Sequence, residues 1–246
     1  MNHLGLFAKF WQPGTVKTRL AASIGEESAC ELYRVFVFHL VKRLRNLADQ
    51  RTVVFSPPDR ESEFRKSILP DWNLCRQSPG DLGARMQSFF RKQFEFAAKL
   101  NIGNNSPACK IVIIGADCPQ IDPQRIQSAF DMLDKAPVVI GPSTDGGYYL
   151  IGMKQECPDI FANIEWSTAT VFSKTVELLN DRRVEFQTLP PLTDVDDLSD
   201  LVALKSYLES REICESDFRV SGSSTLDQQD LNLLQVIRAT TSGLIE

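Results

Sequence analysis

Lys110-Ile111-Val112-Ile113-Ile114-Gly115-Ala116-Asp117-Cys118-Pro119 sets a continuous Ile/Val run directly ahead of one carboxylate. Such a run, without polar alternation, predicts a strand buried on both faces, as in a parallel sheet covered by helices. Asp117 then falls at the C-terminal tip of a central strand, where open α/β sheets bind ligands. An unpaired buried charge is costly. Two readings fit. Asp117 holds a hard cation, Mg²⁺ or Mn²⁺, together with substrate phosphates, or it accepts backbone N–H groups in a turn.

Outward from this strand, helix and strand patterns alternate. Residues 3–8 read as a first strand and are followed by a Pro/Gly loop. A long helix is expected over residues 26–48, where Ala29, Leu32, Tyr33, Phe36, Leu40, Leu44 and Leu47 recur at helical spacing. Strands are expected at 51–56 and 72–77, and helices at 59–67 and 81–100. Residues 101–108 read as a polar turn. Asp122-Pro123 is a strong helix start, a cap followed by Pro at the first helical position, and that helix should run to about Lys135. Strands follow at 137–141 and 147–153. A helix capped by Ser167 or Thr168 should run to about Asn180, then a strand at 184–189 and a helix at 198–208. The alternation implies an α/β fold with a mostly parallel sheet. Residues 1–208 form the expected domain. Residues 209–225 are polar and read as a linker, ahead of a last helix at 226–238 with Leu231, Leu234 and Ile237 on one side.

Bulk properties narrow the function classes. The 246 residues carry a formal net charge of −5, which argues against nucleic acid as the main partner. A small phosphorylated ligand remains compatible, because charges beyond ~8 Å are largely screened. Six scattered cysteines without a C-x-x-C pair, and only two histidines, argue against a thiolate zinc site. They fit a reduced cytoplasmic protein. Residue 1 leads straight into a strand-like segment, with no signal-peptide pattern and no membrane-spanning apolar stretch.

Further segments carry chemistry beside Asp117. Phe7-Ala8-Lys9-Phe10-Trp11-Gln12-Pro13-Gly14-Thr15-Val16-Lys17-Thr18-Arg19 leaves the first strand. Gly14 lets backbone approach a ligand, and Lys17 and Arg19 suit phosphate oxygens. A solvated basic loop fits equally. Gln77-Ser78-Pro79-Gly80-Asp81-Leu82-Gly83-Ala84-Arg85 opens a helix and could face an anion or a base edge, with Asp81 as a plain cap the alternative. Asp145-Gly146-Gly147-Tyr148 suggests a tight turn open to a ligand, or a bare hairpin turn. Glu165-Trp166-Ser167-Thr168 reads as a cap with an aromatic in front. In Thr193-Asp194-Val195-Asp196-Asp197, two carboxylates share one side if the chain is extended. They need a cation, or else they serve a helix N-terminus.

The stretches AKFWQPGTVKTRLA, SPGDLGARM, IGADCP, GPSTDGGYYLIG, EWSTATV and LPPLTDVDDLSDL, in this order, resemble the bacterial glycosyltransferase-A-like family associated with radical-SAM and selenodomain proteins. The resemblance implies the three-layer αβα nucleotide-diphospho-sugar transferase fold and a divalent metal. It puts Lys9, Lys17 and Arg19, with Gly14, at donor phosphates. It puts Gly80, Asp81 and Arg85 at the nucleotide, and Asp117 with Asp196 or Asp194 at the metal. Asp145, Gly146, Gly147, Tyr148 and Trp166 would line the sugar or acceptor side, with Asp117 and Asp145 at the reacting groups. One departure is visible: Trp11 stands where the family usually has Pro.

Two activities follow from that likeness. One is glycosyl transfer from a nucleotide sugar to a small acceptor, in which metal and basic loop stabilise the departing nucleoside diphosphate. The other is nucleotidyl transfer from a nucleoside triphosphate to a phosphorylated acceptor, since VKTRLA also resembles phospholactate guanylyltransferases. The G-x-G-T-R-M loop of many sugar nucleotidyltransferases is missing. A non-catalytic nucleotide-binding protein is the third reading.

Overall fold

One seven-stranded sheet organises the chain in a computed structural model that describes residues 1–100, 109–156, 160–217 and 227–242. The strands are β1 Asn2–Lys9, β2 Gln50–Ser56, β3 Asn73–Arg76, β4 Lys110–Gly115, β5 Val138–Pro142, β6 Tyr148–Met153 and β7 Phe186–Thr188. Their spatial order is β3-β2-β1-β4-β6-β5-β7. All pairings are parallel except those of β6, which runs antiparallel to β4 and β5. The expected mostly parallel sheet is therefore present. The order reverses around β1 and β4, so the loops after these two strands diverge and leave a crevice at their C-terminal ends.

The Ile/Val run behaves as its composition demands. Val112 and Ile114 pack on one face of the sheet, Ile111 and Ile113 on the other, and all four are buried. Helices α2 (Glu26–Arg43), α3 (Glu61–Ser67) and α5 (Pro123–Lys135) cover the first face through Val37, Leu40, Phe64, Ile126 and Phe130. Helices α4 (Leu82–Leu100) and α6 (Val171–Asp181) cover the second through Met86, Phe89, Phe90 and Leu179. This is the three-layer αβα arrangement. At about 25 cal/mol per Å² of apolar surface, burying such side chains is the main stabilising term.

Several boundaries differ from the pattern reading. Residues 18–24, taken as loop, form a short helix α1 (Thr18–Ile24), so Arg19 stands on a helix and only Lys17 precedes it. Gly25, at φ 85°, ends α1 and opens α2. Neither Ser167 nor Thr168 caps α6. Ser167 has a left-handed backbone, φ 64°, Thr168 Oγ1 donates to Glu165 O at 2.7 Å, and the cap position falls to Thr170. Asp122 caps α5 as expected, accepting from Arg125 N at 2.8 Å. The helix begun at Leu198 continues as α7 to Asp217, across half of the stretch read as a linker. The rest of that stretch, the turn at 101–108 and Cys157 lie outside the described residues.

The last helix, α8 (Gln228–Thr241), is capped by Asp227 and docks on α2 and α7. Leu233, Leu234 and Ile237 join Leu32, Phe36, Leu201 and Leu204 in a third buried cluster. A polar clamp accompanies it. Asp230, fully buried on α8, accepts from Arg43 Nη1 of α2. His39 donates through Nδ1 to Gln229 O at 3.2 Å, and Arg43 Nη1 approaches its Nε2 at 3.4 Å. The imidazole is thus a neutral ring: burial, then the Arg43 charge, lowers its pKa to about 4. Among the described residues no helix is long and apolar enough to cross a membrane.

Candidate active site

A cleft of about 600 Å³ opens at the C-terminal ends of β1 and β4. Its floor is Asp117, two residues beyond β4. The Asp117 carbonyl accepts from Val195 N at 3.0 Å, which ties the β4 tip to the Asp194–Asp196 segment. That bond brings the acidic segments of the middle and late chain together.

The amine of Lys17 lies between them. It is bonded to Asp117 Oδ1 and, at 3.2 Å, to Asp196 Oδ1, and its side chain is only 3% exposed. Burial alone would lower its pKa. The Asp117 and Asp196 carboxylates more than reverse this and hold the amine above the ordinary lysine value. Arg19 Nη2 bonds Asp196 Oδ2 from the solvent side, with its own side chain 70% exposed. Sequence reasoning aimed Lys17 at donor phosphates; here its charge is turned onto the two carboxylates expected to hold metal. Pairings between distant segments leave no local signal in a sequence.

Asp194 sits deeper. It accepts from Cys118 Sγ at 2.5 Å, and burial, then the charges of Asp117 and Asp145, push its carboxyl up to about 7. The Cys118 thiol is pushed well above its usual value by burial and by Asp194. Cys30, Cys75, Cys109 and Cys118 are all free.

The opposite wall carries the β5–β6 turn. Asp145 Oδ1 accepts from Ser143 Oγ and from Gly147 N at 2.9 Å, so this carboxylate also organises its own turn. Gly146, at φ 91°, lies where a Cβ would come 2.1 Å from Ala169 O, and its carbonyl accepts from Phe172 N at 2.8 Å. The turn is therefore locked to the start of α6. Tyr148 meets Trp166 edge-on at 6.3 Å, and Trp166 rests on Gly83 at the start of α4, where a Cβ would come within 2.6 Å of its ring. Tyr148 and Trp166 both line the cleft.

Lys9 and Arg85 line the cleft as well. Arg85 bonds Gly80 O at 2.8 Å and Gln77 Oε1 at 3.1 Å. Gln77 in turn donates to Val54 O of β2 at 2.9 Å, which fastens the start of α4 to the sheet. Gly14, Gly80, Asp81 and Gly146 are not in the lining. Gly14, φ 75°, faces the Glu26 carboxylate, and Asp81 is the cap of α4, accepting from Ala84 N at 2.8 Å. Trp11 packs among Phe10, Phe38 and Phe64 at 5.0–5.3 Å. The residue that departs from the family pattern thus braces the loop from behind. Tyr33, read only as helix core, reaches the cleft and accepts from Lys9 N at 3.0 Å. A buried tyrosine hydroxyl needs a partner, and that was the signal available for it.

The carboxylates are hard oxygen donors of the kind Mg²⁺ and Mn²⁺ take. In chemistry the donor set fits such a cation. In arrangement, no cluster of three or more His, Cys, Asp or Glu among the described residues is set to hold one, and Lys17 occupies one oxygen each of Asp117 and Asp196.

Sheet order, the cleft at the strand tips and the acidic residue after β4 together define the fold of the nucleotide-diphospho-sugar transferase superfamily. Residues 40–168 match a family model described as an uncharacterized protein conserved in bacteria (DUF2064), and the chain belongs to that family. It is also similar to a solved structure from Desulfovibrio desulfuricans G20, provisionally identified as a nucleotide-diphospho-sugar transferase. The two are 31% identical over 99% of this chain and 96% of that one, with a TM-score of 0.80. A nucleotidyl transferase from Methanothermobacter is 15% identical over 84% of this chain and 97% of its own, with a TM-score of 0.56. A 4-diphosphocytidyl-2C-methyl-D-erythritol synthase from Anaerococcus prevotii DSM 20548 is 11% identical over 85% and 98%, with a TM-score of 0.50. The last two likenesses are of fold. The relatives sharing it are transferases. No curated protein matches the chain in sequence.

Proposed function

We propose that the chain is a metal-dependent, cytoplasmic glycosyltransferase that takes a nucleotide-sugar donor and a small-molecule acceptor. The observation that carries this reading is the meeting of Lys17 and Arg19 with Asp117 and Asp196 at the strand tips, across a cleft from Asp145, Tyr148 and Trp166. Positive and negative groups alternate on one wall, as a nucleoside diphosphate and its cation need. The other wall is aromatic and carboxylic, as a sugar and its acceptor need. Similarity to the Desulfovibrio protein, and the motif likeness to the radical-SAM-associated transferases, support the same reading.

Asp117, with Asp196 or Asp194, would hold the cation, which when bound supplies charge to neutralise the departing diphosphate. Arg19 has the exposure to follow an incoming phosphate, and its planar guanidinium suits two phosphate oxygens. Lys9 and Arg85 lie farther along the cleft, where they orient the nucleotide. Asp145 is held by its own turn at a fixed position, which suits a group that receives the acceptor's proton.

Nucleotidyl transfer is the second reading. The VKTRLA loop, which also resembles guanylyltransferases, favours it. A product assay separates the two. Protein is incubated with Mg²⁺ or Mn²⁺ and panels of nucleotide sugars and nucleoside triphosphates. Acceptor-dependent release of nucleoside diphosphate is expected, and release of pyrophosphate would replace the first reading by the second.

A further inference from the structure

We infer that Lys17 is the resident counter-ion of the metal carboxylates, so that metal and nucleotide can bind tightly only together. This rests on the reading of the cleft as a metal-dependent nucleotide site. Its ground is the position of one atom. Lys17 Nζ contacts an oxygen of Asp117 and an oxygen of Asp196, the two carboxylates that a cation would need.

The amine is not a surface group that drifts into contact. Its side chain is 3% exposed, whereas that of Asp117 is 47% exposed to the cleft. It is held there by the backbone: Lys17 stands at the N-cap of α1 in the left-handed conformation, φ 50° and ψ 44°, a geometry that non-glycine residues seldom adopt. Asp196 is fixed in turn, its N–H donating to Asp200 Oδ2 at 3.0 Å and its other oxygen bonded by Arg19.

A divalent ion arriving alone at Asp117 meets a buried ammonium already bonded to one oxygen of that carboxylate. Like charges at that distance repel. To take those oxygens the ion must displace the amine from the two carboxylates it holds. A nucleotide diphosphate supplies the amine with a replacement anion. With phosphate oxygens in the cleft, the Lys17 amine gains a new partner and releases the carboxylates to the metal. Metal and phosphates therefore each raise the affinity of the other, and by linkage they do so by the same factor. Lys17 is the residue through which the coupling passes.

The test measures Mn²⁺ binding to the full chain without nucleotide, by the electron paramagnetic resonance signal of free Mn²⁺, for wild type and Lys17→Met. The variant is expected to bind Mn²⁺ at least about tenfold more tightly than wild type. Nucleoside diphosphate should tighten Mn²⁺ binding at least about tenfold in wild type and much less in the variant. Unchanged or weaker Mn²⁺ affinity in the variant, or no Mn²⁺ binding by either protein, overturns the inference. If Lys17→Met fails to fold by circular dichroism, Lys17→Gln, which keeps a hydrogen bond to one carboxylate, takes its place with the same outcomes. Nucleoside diphosphate binding by wild type in EDTA and in Mg²⁺ reports on the proposed function separately. Nucleotide binding with no effect of Lys17 on Mn²⁺ leaves that function standing and removes only the coupling.

Discussion

Lys17 and Asp117 form an ion pair that joins the start of α1 to the tip of β4 and closes the floor of the cleft. A pair with one buried partner is weak evidence for stability, because desolvation of Lys17 offsets much of the attraction. Its value lies in the position it gives Asp117. Replacing Asp117 by Asn keeps the shape and removes the charge, and Lys17 retains Asp196. The expected result is loss of metal-dependent nucleotide binding with a change in stability of no more than about 1–2 kcal/mol. Calorimetric titration of nucleotide with and without Mg²⁺ measures the first, and urea denaturation the second. Metal-dependent affinity equal to wild type would remove Asp117 from the site.

Arg19 gives a prediction of a different kind, because it is mostly exposed and bonds Asp196 from outside. Exposed ion pairs contribute little to stability. Arg19→Ala should therefore unfold within about 0.5 kcal/mol of wild type. Its binding of a nucleoside triphosphate should weaken more than that of a diphosphate, and that of a nucleoside least. Equal losses across the three ligands would mean that Arg19 only steadies Asp196.

The sequence made the sheet legible through physical regularities that act locally. The run Ile111–Ile114 is too apolar for a half-exposed strand, and Asp122-Pro123 leaves a helix little choice of where to begin. Asp117 stood out because a charge at the end of such a strand needs a partner. What its partner is, Lys17, depends on how α1 folds back over the sheet, and no local pattern encodes that. Glycine and capping signals were ambiguous for the same reason. Gly14 and Asp81 carry the residue types of ligand loops, yet one faces Glu26 and the other caps α4. The polar composition of residues 209–225 suggested a linker, although α7 runs on to Asp217; the apolar spacing after it did mark α8, which buries Leu233 and Leu234.

Gly146 locks the β5–β6 turn, which carries Asp145 and leads into Tyr148, to the start of α6. Its φ of 91° is one that other residues rarely adopt, and a Cβ there would stand 2.1 Å from the Ala169 carbonyl oxygen, a backbone atom with little room to move. Gly146→Ala should therefore destabilise the protein by roughly 2–4 kcal/mol, as expected for strain at a special backbone position. It should also displace Asp145 and Tyr148, so acceptor use falls more than nucleotide binding. A variant with wild-type melting temperature would show that the turn relaxes away from α6 without cost.

The two histidines set part of the pH dependence of stability. His3 is buried against Phe89 with Nε2 on Thr52 Oγ1 at 2.9 Å, and burial lowers its pKa to about 4. His39 is lowered to about 4 by burial and by Arg43. Both lie below the unfolded value of about 6.5, so between these limits the unfolded chain binds more protons than the folded one. Stability from each histidine is then complete above pH 6.5 and is lost as pH falls toward 4. Asp194 acts with the opposite sign. Its carboxyl, raised to about 7, takes up a proton in the folded state first, so falling pH favours folding through that group. The histidine contribution is consequently a difference between proteins. Urea denaturation at pH 7 and pH 5 should show His3→Gln and His39→Gln each losing about 2 kcal/mol less than wild type over that interval. A pH dependence identical to wild type in both variants would mean that the imidazoles take up protons without leaving the fold.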